Sequence, residues 1–193
     1  NTATWTTLGK FGNGVAFNGA ALISVPDAAS LDLTTGLTLE AWAFPTVTGG
    51  GQYPTLLMKQ NTPGSTPSHV YALHGRAWVS TSPARLPGLR LNTGTSPVVS
   101  GGSLLAANTW THVAATWDGS TMRVFLNGIQ VASGAATGAL INSSGQLTIG
   151  GNSFLGAEYF TGILDEIRLY NRALSGTEIQ QDMVTPVGES IAD

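Results

Sequence analysis

The segment from Thr111 to Ser133, THVAATWDGSTMRVFLNGIQVAS, constrains the fold more than any other part of this 193-residue chain. Asp118-Gly119 and Asn127-Gly128 are hairpin dipeptides, because tight reversals need left-handed backbone conformations that Gly, Asn and Asp tolerate. They cut the segment into three short runs of alternating apolar and polar residues. Val113, Ala115 and Trp117 share one face of the first run, and Val124 and Leu126 a corresponding face of the second. The spacing predicts a three-stranded meander with one face in a core.

The rest of the chain is punctuated in the same way. GVAFNG (Gly14 to Gly19) and LISVP (Leu22 to Pro26) predict a strand, an Asn-Gly turn and a second strand. LTLEAWAFP (Leu37 to Pro45) sets Leu39, Ala41 and Ala43 against Glu40, Trp42 and Phe44, and GQLTIGG (Gly145 to Gly151) predicts a further strand. Short strands at this spacing point to an all-β sandwich. Two stretches, Val47 to Ser68 and Ser80 to Gly102, are rich in Gly, Pro, Ser and Thr and read as long loops, which in compact domains usually carry function. Trp5, Trp42, Trp110 and Trp117 are expected in the core or at its rim. The one helix signal is the capping box Ser175-Gly176-Thr177-Glu178, with Leu174 and Ile179 as its hydrophobic staple and Pro186 limiting its length. No linker or shift of composition divides the chain, so one domain is expected over residues 1–184, followed by a tail over 185–193.

Composition removes several function classes. Hydrophobic residues make up 42% of the chain, enough for a sizeable core, and charged residues only 10%. A net charge of -3 and eight scattered Lys and Arg give no basic field for nucleic acid. Cysteine is absent, which excludes disulfides, thiolate metal sites and a Cys nucleophile. No apolar run of about 18 residues is present to cross a membrane as a helix. Asn1 in place of an initiator Met, with abundant Thr, Ser, Gly and Asn, leads us to expect a module of a larger secreted or surface bacterial protein, with flanking domains of that parent as neighbours.

GKFGNGVAFNG, ISVPDAASLDLTTGLTLEAWAFP, NTWTHVAATWDGSTMRVFLNGIQVASG, LTIGG and FTGILDEIRLYNRALSGTEI, in this order, resemble the LamG-like jelly-roll domain of the concanavalin A-like lectin/glucanase superfamily. The resemblance runs from about Trp5 to Met183. It implies an all-β, two-sheet antiparallel jelly-roll sandwich with one short C-terminal helix. It leaves function open, because this fold hosts lectins, carbohydrate-binding modules, adhesion domains and hydrolases.

Glycoside hydrolysis needs two carboxyls about 5–5.5 Å apart for retention or roughly 6.5–9.5 Å for inversion. Same-face neighbours on a strand are two residues apart, yet neither E-x-D nor E-x-x-x-E occurs in the chain. Asp165 and Glu166 are adjacent and, on a regular strand, point to opposite faces. Glu158 and Glu166 are left as a cross-strand pair to be tested. No G-x-S-x-G elbow is present. These observations argue against an enzyme.

Regular alternation over Ile163 to Tyr170 places Ile163, Asp165, Ile167 and Leu169 on one face, and Leu164, Glu166, Arg168 and Tyr170 on the other. Glu166 then has Arg168 as an ion-pair partner. Asp165 lies on the apolar face, where a carboxylate must accept backbone N–H groups, pair with a cation or bind a metal. The family resemblance implies a structural Ca²⁺ held by Asn18, a carbonyl around Gly19, and Asp165, an oxygen set suited to a hard cation. The alternative for Asn18-Gly19 is a plain turn.

Carbohydrate recognition uses aromatic faces and a few polar groups in a groove. In HVYALHGRAWV (His69 to Val79), alternation puts His69, Tyr71 and Leu73 on one face and Ala72, His74, Arg76 and Trp78 on the other. The candidate ligand-binding residues are Tyr53, His74, Arg76, Trp78, Arg85 and Arg90. The leading expectation is a non-catalytic, extracellular carbohydrate-binding module whose partner is a polysaccharide or glycan. A protein-interaction or adhesion module is the rival, and a glycoside hydrolase stands third.

Overall fold

The computed structural model describes residues 2–47, 53–62, 64–77, 85–154 and 158–188. Among the described residues, thirteen strands pair antiparallel throughout to form two stacked sheets. Sheet A takes β1 (Thr4–Thr6), β2 (Gly14–Asn18), β4 (Leu37–Pro45), β9 (Thr111–Trp117), β10 (Thr121–Leu126), β11 (Ile129–Ala135) and β13 (Thr161–Tyr170) in the order β1-β2-β13-β4-β9-β10-β11. Sheet B takes β3 (Ile23–Val25), β5 (Thr55–Gln60), β6 (His69–His74), β7 (Gly88–Leu91), β8 (Val98–Ser100) and β12 (Leu147–Ile149) in the order β3-β12-β5-β6-β7-β8. This is the jelly-roll sandwich expected from the sequence.

The core lies between the sheets. Val113, Ala115, Trp117, Val124 and Leu126, the faces predicted for the meander, all lie in it, together with Leu39 and Ala43 from β4 and Leu57, Tyr71, Leu73, Leu89 and Leu91 from sheet B. The polar groups of the two core aromatics Trp117 and Tyr71 are satisfied: Trp117 Nε1 donates to the Ala136 carbonyl at 2.8 Å and the Tyr71 hydroxyl to that of Leu31 at 2.9 Å. The Asn127-Gly128 turn joins β10 to β11 through two residues with φ of 49° and 75°, the left-handed pair such a hairpin requires. Asn18-Gly19 does a different job. It carries the chain from β2 in sheet A toward β3 in sheet B.

Three strands lie where the sequence suggested loops. β5 falls inside Val47 to Ser68, and β7 and β8 inside Ser80 to Gly102. All six residues of β5 are buried, so TLLMKQ shows no in–out alternation, and β7 has a single half-buried residue, Arg90. Trp5 also departs from expectation. It sits on edge strand β1 and is 80% exposed.

The predicted helix is α1 (Gly176–Asp182). Glu178 N–H donates to Ser175 Oγ at 3.3 Å and Ser175 N–H to Glu178 Oε2 at 2.8 Å, while Leu174 and Ile179 pack with Phe125 and Ala114 on the outer side of sheet A.

A bulge corrects the reading of β13. Asp165 pairs with Trp42 but Arg168, not Glu166 or Ile167, is the next residue in register, opposite Glu40. Glu166 takes the left-handed φ of 50° at the break. The core-facing residues are therefore Leu164, Ile167 and Leu169. Asp165 follows Trp42 to the outer face, not the apolar one that regular alternation assigned to it.

Candidate ligand groove

A second bulge builds the site. Along β6, Tyr71 is opposite Lys59 but His69 is opposite Gln60, so Val70 is an extra residue, and it turns into the core. The interruption reverses His69. Instead of sharing the inward face of Tyr71 and Leu73, it joins His74 on the outer face of sheet B, and both line one groove. Met58, Ala72 and Arg90 lie side by side across β5, β6 and β7, with Met58 and Arg90 on the floor of the same groove.

The groove encloses about 270 Å³. One wall is the segment Ser65–Ser68, and the other carries Phe154 and Glu158. Phe154, at 38% exposure, offers an apolar ring to solvent. Its N–H donates to Asn152 Oδ1 at 3.0 Å, and Asn152 Nδ2 donates to Glu158 Oε2 at 2.9 Å. Fully buried Asn152 is in turn reached by Gln60 Nε2 at 3.4 Å, and Gln60 also donates to Ser153 Oγ at 2.8 Å. This amide cluster fixes the wall to strand β5.

The floor is polar and incompletely satisfied. His69 is 3% exposed and His74 2%, yet Nε2 of each has no hydrogen-bond partner among the described residues, nor has Arg90 Nε. Buried polar atoms are nearly always partnered, so these three are exceptions, as are Glu40, His112 Nδ1, Thr116 and Thr148 elsewhere among the described residues. Burial, reinforced by the Arg90 charge, pushes both imidazoles down to about 3, so they are neutral near pH 7. Burial raises the Glu158 carboxyl, against the hydrogen bond from Asn152 and the charge of Arg90.

Of the residues singled out in the sequence, the structure brings His74 and Arg90 together here. Arg76 is half-buried just beyond β6, with Nε unpartnered among the described residues, and does not line the groove. Tyr53 and Arg85 instead stack on one another, the guanidinium carbon 4.7 Å from the ring centre. Trp78 lies outside the described residues. Glu158 and Phe154 enter the site unforeseen, and His69 enters it from the face opposite to the one alternation gave it. Only the bulge at Val70 could have signalled His69, and a single extra residue leaves no mark on a run that is apolar throughout its middle.

The expected Ca²⁺ set does not assemble. Asn18 is opposite Thr161, four residues before Asp165 on β13, which puts the two roughly 13 Å apart along the strand. Asn18 Oδ1 accepts the Ala20 N–H at 3.1 Å, and Gly19 N–H bonds the Phe160 carbonyl at 3.1 Å, as a turn does. Asp165 is held by backbone: Oδ2 accepts Phe11 N–H and Oδ1 accepts Glu166 N–H, both at 2.9 Å. A Cβ on Gly9 would fall 2.8 Å from Asp165 Oδ2, so the loop closes on this carboxylate only because residue 9 is glycine. Among the described residues no three His, Asp or Glu side chains gather as a metal site. Asn18, Gly19 and Asp165 therefore do not fit a common ion.

Glu158 lies in the segment before β13 and lines the groove over sheet B, where it is the one carboxylate among the described residues, whereas Glu166 sits at the bulge of β13 in sheet A, so the two form no catalytic pair. Glu166 binds Arg168 at 2.7 Å, as expected. The remaining buried acid, Glu40, sits under Trp42 and α1. Its Oε2 is 3.2 Å from His112 Nε2, at an angle that leaves neither oxygen with an aligned hydrogen bond.

Solved structures with the same fold are distant in sequence. Domain 4 of an extracellular arabinanase from Geobacillus stearothermophilus, in complex with arabinotriose, is 20% identical, with a TM-score of 0.71 over 95% of this chain and 82% of that one. A putative carbohydrate binding protein from Bacteroides ovatus gives 20% identity and a TM-score of 0.65, over 89% of this chain and 46% of its own. The CBM40 of an IT-sialidase from Ruminococcus gnavus, bound to α2,3 sialyllactose, gives 15% and 0.61, over 87% and 95%. No curated protein matches the sequence. A profile of the Laminin_G_3 family matches residues 17–180, most of the chain, and the protein belongs to this family of the concanavalin A-like lectin/glucanases superfamily.

Proposed function

We propose that this domain binds a carbohydrate in the groove over β5, β6 and β7, without catalysis, as one module of a secreted or surface protein. The observation that carries the reading is the polar lining of one open groove: His69, His74, Arg90, Glu158 and the Ser65, Thr66 and Ser68 side chains stand around it beside the Phe154 ring. Sugars bring dense hydroxyl groups to such a lining, and an apolar ring such as Phe154 suits the C–H face of a pyranose or furanose. Related folds whose bound sugars are arabinotriose and sialyllactose support the class of ligand. A single groove carboxylate among the described residues lacks the pair that glycoside hydrolysis requires.

The test is a glycan array and a pull-down on insoluble polysaccharides with wild type and Arg90→Ala. Binding lost in the variant supports the reading. A blank array with blank pull-downs overturns it, and release of reducing sugar by the purified chain overturns its non-catalytic part.

A further inference from the structure

The chain has eight basic residues. Four hold carboxylates: Lys59 with Asp27, Arg123 with Asp118, Arg168 with Glu166 and Asp182, and Arg172 with Glu178. Lys10 lies over the Trp42 ring, 4.3 Å from its centre. The other three, Arg76, Arg85 and Arg90, form no ion pair among the described residues. The segments between the described stretches, 48–52, 63, 78–84 and 155–157, contain no Asp or Glu.

These three arginines gather at one end of the groove. Thr55 faces the groove there, with Oγ1 3.4 Å from Glu158 Oε2. The β5–β6 ladder pairs Thr55 with His74 and runs on through the bond from Gly75 N–H to the Pro54 carbonyl at 2.9 Å, so Tyr53 and Arg76 are next in line. Alternation returns Tyr53 to the side of Thr55. Arg85 stacks on the Tyr53 ring, and Arg90 is near enough to the Tyr53 hydroxyl and to Glu158 for both to act on its charge. All three arginines are half-buried.

Three guanidinium charges there stand against one groove carboxylate, Glu158, on a chain whose net charge is -3. Hydroxyls and main-chain carbonyls can bond a guanidinium, but they do not neutralise it. Like charges held close and partly out of water gain from a counter-ion. A carboxylate or sulfate group supplies one, and its oxygens accept the forked N–H pairs of arginine. A sugar hydroxyl leaves the excess charge in place.

We infer that Tyr53, Arg76, Arg85 and Arg90 form an anion subsite at the end of the groove, and that the ligand is an acidic glycan whose carboxylate or sulfate group sits on these arginines while its sugar ring lies in the groove. The inference rests on the carbohydrate reading above and deepens it to a subclass.

Calorimetric titration of the full chain with matched pairs tests it. The pairs are trigalacturonate against its methyl ester, α2,3 sialyllactose against lactose, and a sulfated chondroitin oligosaccharide against its desulfated form. The acidic member of at least one pair is expected to bind roughly tenfold more tightly than its partner, and the pair that responds tells carboxylate from sulfate. Raising salt from about 50 to 500 mM is expected to erase most of that preference. Arg85→Gln and Arg76→Gln, checked for folding by circular dichroism, are expected to weaken the acidic member several-fold and leave the neutral one unchanged. Equal or tighter binding of the neutral member in every pair overturns the inference and leaves carbohydrate binding standing. So does a loss in the variants that is the same for both members. Polyglutamate binding as tightly as the acidic glycan shows a site that reads charge alone, and it too overturns the inference. Failure of every glycan to bind overturns both readings.

Discussion

His69 and His74, five residues apart on one strand, face the same groove because Val70 between them is the extra residue of a bulge. On a regular strand the odd spacing would send the two rings to opposite sides of the sheet. The bulge converts one buried edge of the core into one more polar position on the floor.

That burial has a pH signature. Each ring falls from the ordinary histidine value of 6.5 to about 3 in the fold. The unfolded chain therefore binds protons that the folded chain refuses. The stabilisation is complete above pH 6.5 and is lost as pH falls toward 3, with a limiting slope of roughly 1.4 kcal/mol per pH unit for each ring. Glu40 and Glu158, raised by burial, act in the opposite sense, so a comparison with a variant isolates the histidine contribution. Urea midpoints for wild type and His74→Gln between pH 7 and 4 are expected to converge as pH falls. Parallel curves would mean that His74 is protonated in the native state.

Asn152 is expected to act on binding through its neighbours. It holds Glu158 with Nδ2 and the Phe154 N–H with Oδ1, so it positions one wall of the groove without lining it. Asn152→Ala is expected to weaken glycan binding about tenfold and to lower stability by about 1–3 kcal/mol, the cost of stranding buried polar partners. If the variant melts lower but binds as wild type does, the wall does not need this anchor.

Lys59 is 1% exposed, and its ammonium bonds the Asp27 carboxylate and the carbonyls of Ser143 and Gly145. Removing the anion leaves a buried charge short of a partner, whereas removing the lysine leaves Asp27 near solvent. Asp27→Ala is therefore expected to cost more stability than Lys59→Met, by about 1 kcal/mol or more. Chemical denaturation of the two variants decides this, and the reverse order would mean that the carbonyls alone satisfy the ammonium.

Asp165 accepts the Phe11 N–H of the loop that begins at Gly9 and the Glu166 N–H at the bulge of its own strand. Asp165→Ala is expected to lower stability by about 2 kcal/mol, and EDTA is expected to leave the wild-type melting temperature unchanged. A drop on EDTA that Ca²⁺ restores, and that Asp165→Ala abolishes, would instead assign this carboxylate to a metal.

The meander over Thr111 to Ser133, β4 and the capping box were legible because each carries its own local signal, such as a turn dipeptide, an alternation or a reciprocal cap. β5 and β7 were not, since strands covered on both sides lose the alternation that reveals them. The errors at Asp165 and His69 share one cause. Alternation counts residues, and a single unpaired residue, Glu166 in one strand and Val70 in the other, reverses every assignment beyond it on that strand. Arg90 and His74 were identifiable as polar residues in otherwise apolar runs. Phe154 and Glu158 reach the groove through tertiary contacts of Asn152 and of Glu158 itself with β5, which no short window of sequence contains.

Floor and walls of the groove differ in how they can change. His69, His74 and Arg90 sit on ladder positions of the central strands of sheet B, where substitution disturbs the sandwich itself. The walls are short connecting segments tied down at a few points, Asn61 to the Pro67 carbonyl on one side and Asn152 on the other. Their lengths and tips can be exchanged while those ties are kept. The rim of the groove can thus be exchanged by loop grafting while the sheet that carries its floor is left intact.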